Sequence, residues 1–173
     1  MIDGHGEVKA RQAAVDGTAL DLLARQQPVA GDLRAIVACL RMSADLRRMG
    51  KLAVHIAEIA RDRDPETPVP APLWEAARTM SDRALVLVAE AVRAVVNRDA
   101  ASATLLDHDD DQVDQLRQDL YRELLAGVPG LAAEVAVELA LIGRYYERYA
   151  DHAVELGRGI AYVTGRSALD RKV

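Results

Sequence analysis

The stretch from Leu141 to Tyr162 constrains the fold more than any other part of the chain. Its apolar side chains recur every three or four residues, which is the spacing of an amphipathic α-helix about six turns long. Within it, Glu147 and Asp151 stand four residues apart, one turn along the same face. Two like charges at that spacing cost an isolated helix about 0.2–0.5 kcal/mol. Either Arg144 and Arg148 neutralise the pair, or a cation lies between the two carboxylates.

The rest of the chain also shows helical patterns. Pro28 ends a first pattern, and Asp32 is expected to cap a long helix that follows. Four prolines within eight residues then predict a stiff connector between two halves. The five helices are expected at about 7–27, 33–62, 73–97, 101–125 and from 141 to about 162–165. The predicted organisation is a first repeat at 1–63, a connector at 64–72, a second repeat at 73–165 and a tail at 166–173.

Composition favours a soluble, cytoplasmic, all-α protein. Half of the residues are hydrophobic, yet only 3% are aromatic and none is Phe, so the apolar material is mostly Ala, Leu, Val and Ile. The formal charge of −5 argues against a duplex nucleic-acid binder, and no apolar run approaches the length of a membrane span. The polar start from Met1 to Arg11 predicts no secretion signal. The single Cys39 excludes an intrachain disulfide and is expected to be buried in the helical core.

The two long helices align with each other at an offset of 100 residues, which indicates an internal repeat. The identical pairs are Val37 and Val137, Arg48 and Arg148, Ala53 and Ala153, and Val54 and Val154. In each half the order is a helix, a Pro-containing corner and a long helix, but the second half has one helix more. If the repeat unit has three helices, the first half leaves an apolar face uncovered. We then expect dimerisation or helix exchange to cover that face.

Two segments make a family resemblance specific. Gln26 to Ala60 (QQPVAGDLRAIVACLRMSADLRRMGKLAVHIAEIA) and Gly143 to Leu156 (GRYYERYADHAVEL) resemble the signature segments of the PhoU family, and its actinobacterial branch most closely. The resemblance implies tandem three-helix bundles, of which the first would here lack one helix. It also implies a regulatory adaptor that binds the ATPase subunit of the phosphate transporter and the phosphate sensor kinase, and restrains the phosphate-starvation response.

The resemblance also implies a candidate metal site in the second half. The long helices of the family carry an acidic residue, three others and then Asp, and some members bind multinuclear iron or zinc clusters there. Glu147 and Asp151 keep that pattern, and Asp110 and Asp114 form a similar pair on the preceding helix. Oxygen-only ligands suit a hard cation or iron better than tightly held zinc, so Fe, Zn or Mn are the candidates. In the alternative interpretation, the acidic run is a solvated face and the pair on the last helix is neutralised by arginines.

The first half departs from that pattern, since Arg47 and Lys51 occupy the matching positions. No metal site is expected there, and Asp45 is expected to pair with Arg48 and Lys51. His152 is interpreted as a packed or surface residue because neighbouring helical positions diverge by about 100°.

No Glu-x-x-His pair, phosphate-binding loop or glycine-rich dinucleotide turn occurs, so the chain is not expected to be an enzyme. Two functions remain open: an adaptor that docks acidic surfaces, or a metal-binding bundle with a storage or sensing role. The candidate docking residues share a positive charge and lie on the first long helix: Arg34, Arg41, Arg47, Arg48 and Lys51.

Overall fold

The computed structural model of the chain describes residues 4–103 and 105–164, except for the side chains of residues 107–109. Within those residues there are six α-helices and no strand, which confirms the all-α prediction. The helices are α1 (Gly4–Gln26), α2 (Ala30–Asp62), α3 (Ala71–Asn97), α4 (Ala100–Ala103), α5 (Leu106–Ala126) and α6 (Ala133–Val163). None of these helices is long and apolar enough to cross a membrane.

Helix α6 lies at the centre of the molecule. It packs against α3 and α5, which also contact each other, so these three helices form a bundle. Helix α6 also packs against α2, and α1 packs against α2. The core of the bundle consists mainly of aliphatic side chains from α3, α5 and α6, among them Leu73, Met80, Leu87, Leu120, Val135, Leu139 and Leu156.

The fourth predicted helix, 101–125, is in fact two helices. Asp99 accepts hydrogen bonds from the backbone N–H groups of Ala101 (3.0 Å) and Ser102 (3.2 Å), which fixes the start of the short α4. Leu105 then donates its N–H to the carbonyl of Ser102 (3.1 Å), three residues back rather than four. This tighter turn separates α4 from α5, and the prediction of five helices was therefore one too few.

Several predicted helix starts also differ from the structure, and α6 begins at Ala133 rather than at Leu141. Helix α2 begins at Ala30 after Val29, so Asp32 lies in the first turn and is not the cap. Its negative charge there still complements the positive end of the helix dipole. Pro72, which was assigned to the connector, lies in the first turn of α3, where a missing N–H costs no intrahelical bond. The connector between the helices therefore spans residues 63–70.

The outer face of the α1/α2 pair is open to solvent. Within Gly4–Gln26 only Ala19 is buried, although Val15 and Leu20 are large apolar residues. Cys39 on α2 is exposed, so the prediction that it is buried was wrong. The periodicity placed Cys39 correctly on an apolar face, but no helix in the described part of the chain covers that face.

Candidate functional site

Glu147 is held inside the α5/α6 contact by two arginines. Its side chain is only 10% exposed, and Arg144, one turn earlier on α6, donates a hydrogen bond to its Oε2. Arg117 on α5 approaches from the other side, with its Nε 3.5 Å from Glu147 Oε1. A carboxylate buried to this extent needs such partners, because an unpaired buried charge is costly. The arginine interpretation therefore holds for Glu147, with Arg117 as an additional partner.

The same arginine connects Glu147 to a tyrosine at the helix contact. The guanidinium carbon of Arg117 lies 5.2 Å from the ring centroid of Tyr121, within the range of a cation–π contact. The Tyr121 hydroxyl donates a hydrogen bond to the carbonyl of Ala140 on α6 (3.0 Å). Glu147 thus belongs to a polar network that holds α5 against α6.

Asp110, Asp114 and Asp151 form a separate acidic cluster at the α5/α6 contact. Burial, together with the charges of Asp151, Asp114 and Asp111, raises the pKa of Asp110 from 3.8 to about 6. Burial and the charge of Asp114 also raise the pKa of Asp151, against the opposing effect of Arg144, His152 and Arg148. Because these like charges act on one another, the two aspartates predicted on α5 do lie near Asp151.

The four predicted metal ligands therefore occupy two different environments. The charges of Asp114 and Asp151 act on Asp110, whereas the Glu147 carboxylate is bound by Arg117 and Arg144. Among the side chains that the structure describes, no group of three or more His, Cys, Asp or Glu is arranged to hold a metal ion. His108 lies outside the described side chains. The metal site remains a prediction, and the residues as they lie do not assemble the four-carboxylate set.

A second candidate site is a cleft between α2 and α6, with a volume of about 560 Å³. Arg41 and Arg48 contribute from α2, and Arg158 and Tyr162 contribute from α6. The Arg41 guanidinium lies 5.9 Å from the ring centroid of Tyr162, and no described carboxylate forms an ion pair with it. Asp45 and Glu155 also line the cleft and pair with Arg48 and Arg158, so Arg41 is the cleft arginine best placed to bind an anionic group.

A mostly buried contact between Asp45 and His152 lines the cleft and joins the two halves. The side chains of Asp45 on α2 and His152 on α6 are 12% and 15% exposed, and His152 Nδ1 lies 3.2 Å from Asp45 Oδ1. Arg48 donates a hydrogen bond to the same oxygen (2.9 Å), as predicted. Lys51 was expected to be the second partner of Asp45, but the second partner in the structure is His152. Lys51 and Arg47 are exposed.

Sequence reasoning missed two of these contacts for the same reason. Arg117 on α5 and Glu147 on α6 are 30 positions apart, so the spacing along either helix does not indicate that they meet. The contact between Asp45 and His152 joins residues 107 positions apart and has no local signal. His152 was interpreted as packed or surface, and the structure shows it packed, with a specific carboxylate partner.

A comparison with protein families matches the PhoU domain over residues 1–60 and 77–160. The chain is 41% identical over 166 residues to the phosphate-specific transport system accessory protein PhoU homolog 1 of Mycobacterium tuberculosis (strain H37Rv). That alignment covers 95% of this chain and 75% of the relative. It is 38% identical over 162 residues to homolog 2 of the same organism, covering 94% of this chain and 76% of that relative.

Two solved structures share the fold. PhoU from Pseudomonas aeruginosa superposes with a TM-score of 0.86 at 25% identity, covering 94% of this chain and 78% of that chain. The phosphate transport system regulatory protein PhoU from Streptococcus pneumoniae superposes with a TM-score of 0.84 at 22% identity, covering 94% and 76%. The architecture of this chain is therefore the one found in both structures.

Proposed function

This chain belongs to the PhoU family, and from that premise we propose that it is a regulatory adaptor of phosphate homeostasis. In this proposal it binds the ATPase subunit of a phosphate transporter and a phosphate-sensing histidine kinase, and it restrains the phosphate-starvation response when phosphate is plentiful. It acts in the cytoplasm and reaches the membrane only through these partners. The names of the mycobacterial relatives, which describe accessory proteins of phosphate-specific transport, support this role.

The observation that supports a docking role is the position of Arg41 in the cleft between α2 and α6. Arg41 opens onto it without a carboxylate partner among the described residues, and Arg47 is exposed on the same helix. Because guanidinium groups bind carboxylates in a fixed bidentate geometry, an acidic segment of a partner protein is the expected occupant. The cleft is lined by both long helices, so a partner bound there contacts both halves of the adaptor.

Charge reversal tests this docking surface. We expect Arg41→Glu with Arg47→Glu to weaken binding to the purified ATPase subunit or the cytoplasmic part of the kinase by roughly tenfold or more, as measured by titration calorimetry. Arg78→Glu on α3, also exposed, is the matched control and should leave the affinity unchanged. Arg48 is unsuitable for reversal because it binds the buried Asp45.

The salt dependence of the affinity for the partner is a second test of the same docking surface. Wild-type affinity should fall as ionic strength rises, since the attraction is screened over about 10 Å at 0.1 M salt. The double variant should lose most of that dependence. Equal affinity and equal salt dependence of the double variant and wild type would contradict the proposed docking surface.

A cation at Asp110, Asp114 and Asp151 is a separate proposal, in which the acidic cluster has a sensing or storage role. It is favoured by the mutual repulsion of these aspartates, which a bound Fe, Zn or Mn ion would relieve. It is disfavoured by the engagement of Glu147 with two arginines.

Metal analysis tests the cation proposal. We would measure the metal content of protein purified without chelator or metal-affinity resin, for the wild type and an Asp110→Asn/Asp151→Asn variant. Stoichiometric metal that disappears in the variant supports the site. A wild type that stays metal-free when the ions are supplied contradicts it.

A further inference from the structure

Helix α3 has a row of apolar side chains on its solvent side. Four of them follow one another at spacings of four, three and four residues, which places them on one line along the helix. Trp74 lies on the same line, because the eleven positions from Trp74 to Leu85 make about three turns. We call this line the apolar row: Trp74, Leu85, Ala89, Val92 and Val96. Its four large side chains are between 44% and 75% exposed, although the bundle of α3, α5 and α6 has a packed core.

The spacing of the apolar row is that of a helix that pairs with another helix. Alternating steps of three and four residues form the seam of a coiled coil, in which the apolar side chains of one helix pack between those of the other. Several large apolar residues on one exposed line also form the kind of patch that marks a contact with another molecule. No residue of the apolar row lines the cleft between α2 and α6, so the row is a separate surface.

The charges around the apolar row indicate which charges its partner carries. Residues 83–98 contain three arginines and one glutamate, a formal charge of +2 in a chain whose total is −5. Arg83 and Arg98 stand at the two ends of this segment, and neither forms an ion pair with a carboxylate among the described residues. Arg93 pairs with Glu90 at 3.5 Å. Acidic residues beside the apolar seam of a partner helix would bind the arginines at the two ends.

We propose that the apolar row is the docking surface for an amphipathic helix of another protein, which presents an apolar seam with acidic residues along its edges. A second copy of α3 is a poorer occupant of the row because of its charges. An antiparallel copy centred on residues 85–96 would place its Arg98 opposite Arg83, and a parallel copy would place each arginine opposite its counterpart. Like charges disfavour both arrangements.

The N-terminal half of the same helix favours a protein partner over a membrane. Glu75 and Asp82 are exposed there, and an anionic lipid surface would repel both of them. The size of the contact suits a reversible interaction. Helix α3 has 27 residues and is about 40 Å long, so a strip about 10 Å wide buries about 400 Å² on each partner, or about 800 Å² in total. That area lies below the range of stable complexes.

Trp74 is the single tryptophan of the chain, so its fluorescence reports on the apolar row without a label. The probe is a synthetic helical peptide of about three heptads, with Leu at the seam positions and Glu at the edge positions, added to the full chain. We expect a saturable shift of the Trp74 emission to shorter wavelength, because the peptide removes water from the indole ring. A peptide with the same Leu seam and Lys in place of Glu should bind roughly tenfold or more weakly.

Substitutions in the full chain locate the bound peptide. Val92→Glu should weaken binding of the Glu-edged peptide roughly tenfold or more, because it places a charge in the apolar seam. Leu20→Glu on α1 is the matched control and should leave the affinity unchanged. The two positions are 44% and 63% exposed, so both variants should keep the helix content of the wild type by circular dichroism.

Three peptide results would overturn the proposal: no binding of the Glu-edged peptide, equal affinity for the two peptides, or an affinity that Val92→Glu leaves unchanged. A Trp74 shift with phosphatidylglycerol vesicles but not with the peptide would assign the row to a membrane instead. A shift on raising the protein concentration alone would assign it to a second copy. None of these measurements uses a partner from phosphate transport, so failure of this proposal would leave the adaptor proposal untouched.

Discussion

Asp45 on α2 and His152 on α6 lie 3.2 Å apart and join the two halves of the molecule through a largely buried contact. The Asp45 oxygen that faces His152 also accepts a hydrogen bond from Arg48, so one carboxylate serves both a neighbour on its own helix and a residue of the other half. The packing of α2 on α6 therefore includes a directional polar contact as well as apolar area. A contact of this kind fixes the register of the two helices along the cleft.

Removing that carboxylate should destabilise the protein. We expect Asp45→Ala to lower the free energy of unfolding by about 2 kcal/mol, because it removes the acceptor of the Arg48 hydrogen bond and the polar partner of the mostly buried His152. Urea denaturation followed by circular dichroism measures the loss. Asp21→Ala is the matched control, since the Asp21–Arg25 pair is exposed and should contribute less than about 1 kcal/mol. Equal losses in the two variants would show that the contact between the halves adds nothing to stability.

Glu147 should matter more than any surface acid on these helices. Glu147→Ala leaves Arg117 in a mostly buried position without its carboxylate, and we expect the free energy of unfolding to fall by about 3 kcal/mol. Asp119→Ala, which breaks an exposed pair with Arg122, should cost less than about 1 kcal/mol in the same denaturation experiment. If Glu147→Ala is as stable as the wild type, the carboxylate is not held by the arginines in solution.

Much of this architecture could be predicted because its signals are local. Apolar periodicity gave the long helices, and Pro28 marked the end of the first one, since α1 ends at Gln26. The pairing of Glu147 with Arg144 was also accessible, because both lie on one face of one helix. A helix surface can be read from the spacing of its residues alone.

What the sequence could not predict depends on which helices meet. Arg117 contacts Glu147 from α5, and His152 contacts Asp45 from α6. Neither contact can be predicted from the spacing of residues along one helix. Cys39 was expected to be buried because it lies on an apolar face, but burial also requires another element to cover that face. Periodicity identifies a face, whereas tertiary packing decides its partner.

The acidic cluster should make stability depend on pH. Asp110 holds its proton more tightly in the folded protein, with a pKa of about 6 against an ordinary 3.8. Its contribution to the free energy of unfolding is therefore fully present below pH 3.8, and it is lost as the pH rises through 6 and the folded protein loses this proton. Asp110→Asn keeps the uncharged shape at every pH. We therefore expect the variant to melt at a higher temperature than the wild type at pH 7 and at the same temperature at pH 3.5.

The difference at pH 7 should be roughly 2–4 °C, the shift that about 1 kcal/mol produces in a chain of this size once solvent screening is allowed for. Differential scanning fluorimetry in the presence of chelator measures it without competition from metal ions. Asp82→Asn, at an exposed position on α3, is the control and should show no such pH-dependent gain. A variant that melts below the wild type at pH 7 would mean that the Asp110 charge stabilises the fold.

Gly157 should be sensitive to the smallest possible enlargement. A Cβ at this position of α6 would lie 2.6 Å from Leu106 Cδ1 and 3.2 Å from the carbonyl oxygen of Ala103, so α6 can approach α4 and α5 only with glycine here. We expect Gly157→Ala to lower the free energy of unfolding by about 1–2 kcal/mol, since overpacking exceeds the gain in helix propensity. Gly17→Ala on α1 meets no atom within 4 Å and should instead raise it by about 0.5–1 kcal/mol. Urea denaturation measures both changes in the free energy of unfolding, and opposite signs would separate the effect of packing from that of helix propensity. A Gly157→Ala variant more stable than the wild type would show that α6 can move away from Leu106 at no cost.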